Sequence, residues 1–284
     1  MNDHATHPGL DDAPLGHASR YPERYDAGLL FPIPRAANRA GLGLAPGAAL
    51  PFVGLDQWQA FELSWLDPRG KPVVRLARFT VPANSPNLIE SKSWKLYLNG
   101  FNQMRHAHEA EVAALLRRDL SQAAGAQVEV ALFGVDDPVL ATVRLPGSCI
   151  DGLDVGIEDY SPNPALLRCV EDEVVEETLH SHLLKSNCPV TGQPDWGSVV
   201  VRYRGPRLVA ATLLAYLVSY RNHQDFHEHC VERIFLDLLE RARPERLAVM
   251  ARYTRRGGLD INPCRATSLD ALDPAWLDAR TTRQ

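Results

Sequence analysis

The strongest constraint on the fold is an order of secondary-structure elements that occurs twice along the chain. In the first half, alternating apolar residues predict a hairpin over Ala60–Val81 with its turn at residues 67–70. Helical periodicity then predicts helices over Lys92–Gln103 and His108–Ala124, and renewed alternation predicts a strand over Gln127–Phe133. This is the order of an α+β domain, with two strands, two helices and a further strand.

The second half repeats the same order. The predicted elements are strands over Val174–Leu184 and Ser198–Tyr203, helices over Arg207–Tyr220 and Asp225–Ala242, and a strand over Leu247–Thr254. The second helices of the two halves align at a shift of 119 residues, which places His108 and its following glutamate on His227 and Glu228. The sequence therefore predicts a duplicated α+β domain.

Glycine and proline residues mark the boundaries of these domains. They cluster between residues 134 and 170, and residues up to Gly47 are rich in Pro, Gly, Ala and His without a sustained period. A length of 284 residues suits two domains of ordinary size. We therefore expect a loop-forming N-terminal arm over residues 1–47, a first domain over 48–145 and a second over 146–284.

Charge and cysteine usage exclude several classes of function. The net charge is −5 with no basic run, which argues against direct binding of nucleic acid. No apolar stretch reaches the ~18–20 residues of a membrane span, and the N-terminus lacks the order of a signal peptide. Five widely spaced cysteines without a C-x-x-C pair do not suit a disulfide framework. We expect a cytoplasmic protein with no membrane or nucleic-acid partner.

Two motifs that suggest a ligand are weak. The glycine run at residues 41–47 has the wrong spacing for a dinucleotide fingerprint and follows no predicted strand. The run HQDFHEHC at residues 223–230 suits a zinc site, to which His180 and His182 could add ligands. However, Cys230 belongs to an apolar helical stripe, which favours a position in the core over a metal site. Taken alone, Glu228 is predicted to be a solvated carboxylate in the first turn of a helix.

A cysteine-containing loop is a stronger candidate for chemistry. Cys188 lies in a polar, turn-rich segment between two predicted strands, and Asp195 follows it in the same segment. Lys185 would favour the thiolate of Cys188, and Asp195 would act as a general acid or base. The alternative is an exposed thiol beside a turn-forming aspartate.

The run ESKSWK at residues 90–95 stands where an extended segment enters a helix. Such a helix start suits an anion, because its free N–H groups and Lys92 both attract phosphate. The alternative is a capping cluster in which Ser91 or Ser93 caps the helix and the lysines lie in solvent.

Four runs together resemble one family. The run IESKSWKLYLNGFNQ at residues 89–103 resembles the signature of the NADPH-dependent 7-cyano-7-deazaguanine reductases, the nitrile reductases of queuosine biosynthesis. The runs CPVTGQPDW at 188–196, FHE at 226–228 and RRGGLDINP at 255–263 are similar to the same family and follow in its order. The chain is most similar to the family's longer, two-domain form.

This resemblance implies two tandem tunnelling-fold domains with antiparallel sheets and paired helices, assembled as a homodimer. It implies reduction of the nitrile of 7-cyano-7-deazaguanine to a primary amine, with two NADPH consumed and a covalent thioimide formed, as a step of tRNA modification. By the same likeness Cys188 is the nucleophile, Asp195 protonates the developing nitrogen, and no metal takes part. The implied substrate contacts are Ile89, Glu90, Ser91, His227 and Glu228, and the implied NADPH contacts are Ser91, Lys92, Arg256 and Gly257.

Two other functions remain open at this point. One is a zinc-dependent hydrolase similar to the GTP cyclohydrolases of the same superfamily, which would not need the ESKS run together with Arg256 and Gly257. The other is a silent purine-binding module, which would tolerate loss of Cys188 and Asp195. Both of these residues are present.

Overall fold

The computed structural model describes residue 22, residues 24–278 and residues 280–284, and the described chain is a mixed α+β structure. Its strands are β1 (Pro32–Pro34), β2 (Val53–Leu66), β3 (Pro72–Pro82), β4 (Asn87–Ile89), β5 (Glu129–Phe133), β6 (Ser148–Cys149), β7 (Cys169–Asn187), β8 (Pro194–Leu208), β9 (Arg246–Tyr253) and β10 (Leu259–Ala266). Its α-helices are α1 (Arg35–Ala40), α2 (Ser91–Asn99), α3 (Glu109–Ala124), α4 (Ala210–Val218), α5 (His227–Ala242) and α6 (Pro274–Asp278). None of these helices combines the length and hydrophobicity that crossing a bilayer requires.

The chain divides into two compact units. Unit 1 comprises the described residues up to Ala49, together with Asp56–Pro138 and Arg255–Asp260. Unit 2 comprises Leu50–Leu55, Val139–Thr254 and Ile261–Gln284. Strands β2 and β10 therefore each contribute residues to both units.

Unit 1 contains the predicted hairpin. Strands β2 and β3 are neighbours, and the turn between them closes with a hydrogen bond from the N–H of Asp67 to the carbonyl of Lys71. Strand β5 pairs antiparallel with the other edge of β3. The predicted helix end is also confirmed, because α3 stops at Gly125, whose φ of 69° lies in the left-handed region that favours glycine.

Aromatic packing fixes α2 against the sheet of unit 1. The indole of Trp94 is fully buried and stacks on Trp58 of β2 with 4.3 Å between ring centroids. The ring of Phe79 in β3 lies 5.2 Å from the same indole. Since Trp94 lies in the first turns of α2, this contact also sets the position of the residues that begin the helix.

The predicted loop-forming arm contains short regular elements among the residues that the structure describes. Within residues 24–47, β1 pairs antiparallel with β4, and α1 follows it. Arg35 of α1 is buried and forms an ion pair with Asp56 at 2.5 Å. These elements are too short to show a period in the sequence, and their tertiary pairing stabilises them. Residues 1–21 and 23 of the predicted arm lie outside the described residues.

Unit 2 is built on a sheet with the strand order β10-β9-β8-β7-β6. Strands β7 and β8 pair antiparallel from Cys169 opposite Leu208 to Asn187 opposite Pro194, and are longer than predicted. The outer segment of β7 contains mostly exposed polar residues, so it lacks the alternation that marks a half-buried strand. Strand β10 was not predicted, because all eight of its residues are buried and show no alternation.

Replacing Trp94 by alanine should destabilise unit 1 by about 3–5 kcal/mol, because the change leaves a large cavity beside Trp58 and Phe79. Denaturant unfolding measured by circular dichroism checks this value. The matched control is Trp196→Ala, since Trp196 is 38% exposed and its removal leaves no buried cavity. Equal losses from the two variants would contradict the role of Trp94 in anchoring α2.

Candidate active site

Cys188 lies in the tight loop that joins β7 to β8. Its N–H donates to the carbonyl of Gln193 at 2.8 Å, so the ladder of the two strands continues for one further pair. Its carbonyl accepts from the N–H of Gly192, whose φ of 66° again requires the left-handed region. The Cys188 side chain is only 3% exposed, and the alternative of an exposed thiol is therefore wrong.

Asp195 faces the same side of the strand pair as Cys188. Ser186 stands opposite Asp195 in the ladder, and Cys188 follows Ser186 by two residues. The alternation of strand side chains therefore places the thiol and the carboxyl group on one face as diagonal neighbours. Asp195 is 4% exposed, and its Oδ1 lies 3.6 Å from Nε2 of His227. The ring of His227 packs edge-on against Tyr253 with 4.1 Å between centroids.

The first turn of α5 carries a second carboxyl group into the interior. Glu228 is 4% exposed, so the expectation of a solvated first-turn carboxylate is wrong. The helix buries its neighbours Cys230 and Val231 completely, which confirms that Cys230 is a core residue. A carboxyl group at a helix N-terminus is favoured by the helix dipole, and this offsets part of the cost of burying it.

The arrangement of residues 223–230 does not support the hypothesis that they bind zinc. Cys230 points into the core, and Nδ1 of His229 hydrogen-bonds Asp225. Burial acts to raise the pKa of Asp225, but hydrogen bonds from His223 and His229 hold this pKa well below its usual range. Among the described residues, the side chains that come together as a candidate metal-binding group are instead Cys149, His180 and His182.

Glu90 caps the N-terminus of α2 in unit 1. Its two carboxylate oxygens accept from the N–H groups of Lys92 and Ser93, each at 2.7 Å. The expectation that Ser91 or Ser93 caps the helix is wrong, because Ser91 is already the first helical residue. The Ser93 hydroxyl instead donates to the carbonyl of Glu90 and accepts from Phe31 N. Tertiary packing leaves Glu90 only 1% exposed. The shorter side chain of a serine at this position would not reach both N–H groups.

Burial raises the pKa of Glu90, although the N–H groups of Lys92 and Ser93 and the charge of Lys95 act to lower it. Each carboxylate oxygen has a second lone pair beyond the one used by the cap. Glu90 can therefore close the helix and still accept hydrogen bonds from a ligand.

Arg256 and Gly257 form a tight turn of unit 1. The N–H of Arg256 donates to the carbonyl of Leu259 at 2.9 Å, and Gly257 and Gly258 have φ values of 60° and 78°. Two consecutive positive φ values require glycine, as in a type I′ turn. A Cβ atom at Gly257 would lie 3.3 Å from Cδ of Lys95, so the turn lies against the Lys95 side chain of α2.

The predicted site residues thus occur as two groups, one in each unit. Unit 1 holds Ile89, Glu90, Ser91, Lys92, Arg256 and Gly257, and unit 2 holds Cys188, Asp195, His227 and Glu228. Sequence reasoning missed Tyr253, the neighbour of His227, because an aromatic residue inside a predicted strand gives no signal of its own. It also missed Asp225, which orients His223 and His229.

Comparison with protein families places the chain among the nitrile reductases. The family model described as nitrile reductase, 7-cyano-7-deazaguanine-reductase N-term, matches residues 21–132. A second model, described as QueF-like protein, matches residues 194–277. Together these matches cover every predicted site residue except Cys188, which lies between them, and Arg256 and Gly257 fall within the second match.

Curated relatives identify the family more closely. An NADPH-dependent 7-cyano-7-deazaguanine reductase from Chromohalobacter salexigens is 70% identical over 258 residues, covering 91% of this chain and 92% of the relative. The enzyme of the same name from Bordetella pertussis is 56% identical over 276 residues, covering 97% and 99%. The chain belongs to the NADPH-dependent 7-cyano-7-deazaguanine reductases.

One solved structure was also similar in part. The archaeosine synthase QueF-Like in the apo form covers 34% of this chain and 95% of its own, at 18% identity and a TM-score of 0.28.

Replacing Glu90 by glutamine should flatten the pH dependence of stability. Because burial raises the pKa of Glu90, the folded chain holds the proton more tightly than the unfolded chain. This contribution to stability is fully present below the ordinary pKa of 4.5 and is lost as the pH rises through the higher folded value. The free energy of unfolding of the wild type should therefore fall over this window relative to that of Glu90→Gln.

Denaturant unfolding of the two proteins at several pH values measures this difference. The control is Glu129→Gln, which removes an exposed carboxylate from the same unit. If Glu90→Gln and the wild type keep a constant difference across the series, the proposed burial effect on Glu90 is wrong.

Proposed function

We propose that the chain reduces the nitrile of 7-cyano-7-deazaguanine to the primary amine of 7-aminomethyl-7-deazaguanine, with Cys188 as the covalent nucleophile. Membership of the reductase family supports the reaction. The observation that carries the residue assignment is the buried thiol of Cys188 on the same strand-pair face as the buried Asp195. The reaction serves queuosine biosynthesis, a modification of tRNA.

Covalent catalysis answers the main difficulty of the reaction, because a nitrile carbon is a poor hydride acceptor. The sulfur of Cys188 bonds to this carbon, one carbon–nitrogen π bond opens, and the thiol proton passes to the nitrogen. The product of this step is a thioimide. Its burial at Cys188 protects the thioimide from water, which would otherwise hydrolyse it.

Asp195 is the group that moves this proton. It accepts the proton of Cys188 and delivers it to the nitrile nitrogen, in the manner of a general acid–base catalyst. His227, at 3.6 Å from Asp195, assists the later proton transfers and contacts the substrate. The edge-on contact with Tyr253 restricts rotation of the His227 ring.

The two buried glutamates suit the deazapurine ring. Its guanine-like edge presents N–H donors, and carboxylates accept such donors strongly. We assign Glu228 and Glu90 to this edge, together with the backbone at Ile89 and Ser91. A base that lacks these donors would leave a buried carboxylate unpaired, and the enzyme would reject it.

The turn at Arg256 and the start of α2 suit NADPH. A side chain at Gly257 would come within 3.3 Å of the Lys95 side chain, so this turn lies against α2, and we assign the cationic residues Lys92 and Arg256 and the hydroxyl of Ser91 to NADPH. These cations match the phosphate that distinguishes NADPH from NADH. NADPH supplies hydride, and two molecules are consumed for each nitrile. Between the two reductions the bond from carbon to the sulfur of Cys188 breaks, which restores the thiol.

The fold supports a tandem arrangement of two tunnelling-fold domains. Unit 2 contains the order β7-β8-α4-α5-β9-β10, and the first half contains β2 and β3 followed by α2, α3 and β5. We assign the domains to residues 48–145 and 146–284, with the arm at 1–47. We further assign a cytoplasmic homodimer that binds the free deazapurine rather than nucleic acid, in keeping with five free cysteines and the net negative charge.

Replacing Cys188 by alanine should abolish both turnover and the covalent adduct, because no other group is assigned to attack the nitrile carbon. Mass spectrometry of the denatured protein detects the adduct, and NADPH absorbance counts two equivalents per nitrile in the wild type. The matched control is Cys169→Ser, another thiol of unit 2, which should retain both. An adduct on the Cys188→Ala variant would contradict the nucleophile assignment.

Replacing Arg256 by alanine should raise the KM for NADPH about tenfold to a hundredfold, since a hydrogen bond from a charged group contributes about 1.5–3 kcal/mol. The KM for NADH should change less, because NADH lacks the recognised phosphate. Initial rates with each nucleotide measure the two effects. The neighbouring exposed Arg255→Ala is the control, and equal effects of both arginines would exclude a specific role for Arg256.

A further inference from the structure

A second group of reactive side chains lies in unit 2, away from the Cys188 loop. Cys149, His180 and His182 each offer one ligand atom, and these three atoms lie within 4.8 Å of one another. Cys149 of β6 stands directly beside His180 of β7 in a parallel pair. His182 follows His180 by two residues and so shares its face of the strand. Along β7, His180 lies roughly 25 Å from Cys188, at about 3.3 Å per residue.

Hydrogen bonds fix the ring nitrogens of both histidines. Nδ1 of His180 donates to the carbonyl of Pro146 at 2.9 Å, which leaves Nε2 as the unprotonated nitrogen of a neutral ring. Nδ1 of His182 is hydrogen-bonded to Oγ of Ser198 at 2.8 Å. Metal-binding histidines are typically oriented in this way, by a hydrogen bond from the ring nitrogen that does not bind the ion.

The backbone around Cys149 is held close to β7 by several contacts. Gly147 has a φ of 77°, and a side chain there would lie 2.1 Å from the carbonyl of Thr178, so only glycine allows this approach. Beyond the cysteine, the carboxylate of Asp151 accepts from the Ser181 hydroxyl at 2.6 Å and from the N–H of His182 at 3.0 Å. These contacts hold the thiol of Cys149 close to the two imidazoles. None of the residues that make them has a role in the proposed nitrile reduction.

The group opens into a cavity of about 700 Å³. Cys149 is exposed at its rim, and the cavity is also lined by Thr142, Arg144 and Thr281. Ligand atoms of a tetrahedral zinc ion lie about 3.5 Å apart, given zinc–nitrogen and zinc–sulfur distances of about 2.0 and 2.3 Å. The three ligand atoms, which lie within 4.8 Å of one another, would therefore move closer by up to about 1 Å when the ion binds.

We propose that Cys149, His180 and His182 bind one Zn²⁺ ion, with water in the fourth position on the cavity side. One thiolate and two imidazoles favour zinc over magnesium or calcium, which prefer oxygen ligands. The ion would join the short strand β6 to β7 and would take no part in nitrile reduction. The carboxylate of Asp151 adds negative charge beside the ion and offsets the guanidinium of Arg283, which donates to the carbonyl of His182.

Binding of zinc by the untagged, full-length protein tests this proposal. The protein is first stripped with a chelator and then titrated with Zn²⁺ in competition with a chromophoric chelator. We expect one Zn²⁺ per chain in the wild type, and an affinity at least about a hundredfold lower in Cys149→Ser and in His182→Ala, since even second-shell losses cost 10–100-fold. Co²⁺ in place of Zn²⁺ should give a thiolate charge-transfer band that Cys149→Ser lacks.

Two controls separate this site from the other thiols. Cys169→Ser and Cys188→Ala should both retain the stoichiometric zinc and the cobalt band. Absence of tight zinc binding in the wild type, or a cobalt band that persists in Cys149→Ser, would overturn the proposal. Because the readout is metal binding, its result is independent of the residue roles proposed for the reductase.

Discussion

A β-bulge in β7 decides which side chains of unit 2 are available for chemistry. Between Val175 and Ser181 the odd-numbered residues of β7 face the interior, as the burial of Leu179 and Ser181 shows, while the even-numbered His180 is 8% exposed. The register shifts between Ser181 and Leu184, and beyond it the even-numbered residues Leu184 and Ser186 are buried. Because an extra residue reverses the alternation, Cys188 enters the interior beside Asp195. Without the bulge it would share the face of His180 and His182.

Buried carboxyl groups impose the second constraint. Glu90, Asp195 and Glu228 are each at most 4% exposed, and burying such groups without compensation is costly. Glu90 is compensated by two backbone N–H groups of α2, and Asp195 lies 3.6 Å from Nε2 of His227. The two N–H groups fix the carboxyl group of Glu90 in space before a ligand arrives. An acceptor fixed in this way receives a hydrogen bond only from a donor held at a matching position.

The sequence predicted those features that depend on neighbouring residues. The helices α3 and α5 follow from their apolar period, the β2–β3 hairpin from its turn, and the Cys188 loop from its polar composition. Features that depend on distant residues could not be predicted in the same way. Glu90 caps α2 because other elements bury it there. The general preference for serine at this position had instead favoured Ser91 or Ser93 as the cap. Strand β10 shows no alternation because it is buried on every side.

The cluster of Cys149, His180 and His182 shows the same limit most clearly. The cysteine precedes the first histidine by about thirty residues, and its two-residue strand carries no periodic signal. Only the parallel pairing of β6 with β7 brings the three side chains together, and that pairing depends on the close approach at Gly147. The predicted ligands of residues 223–230 had the more suggestive spacing, yet packing turns Cys230 into the core and engages His229 with Asp225. Spacing along a chain indicates a metal site only where the backbone also turns the ligand atoms toward one point.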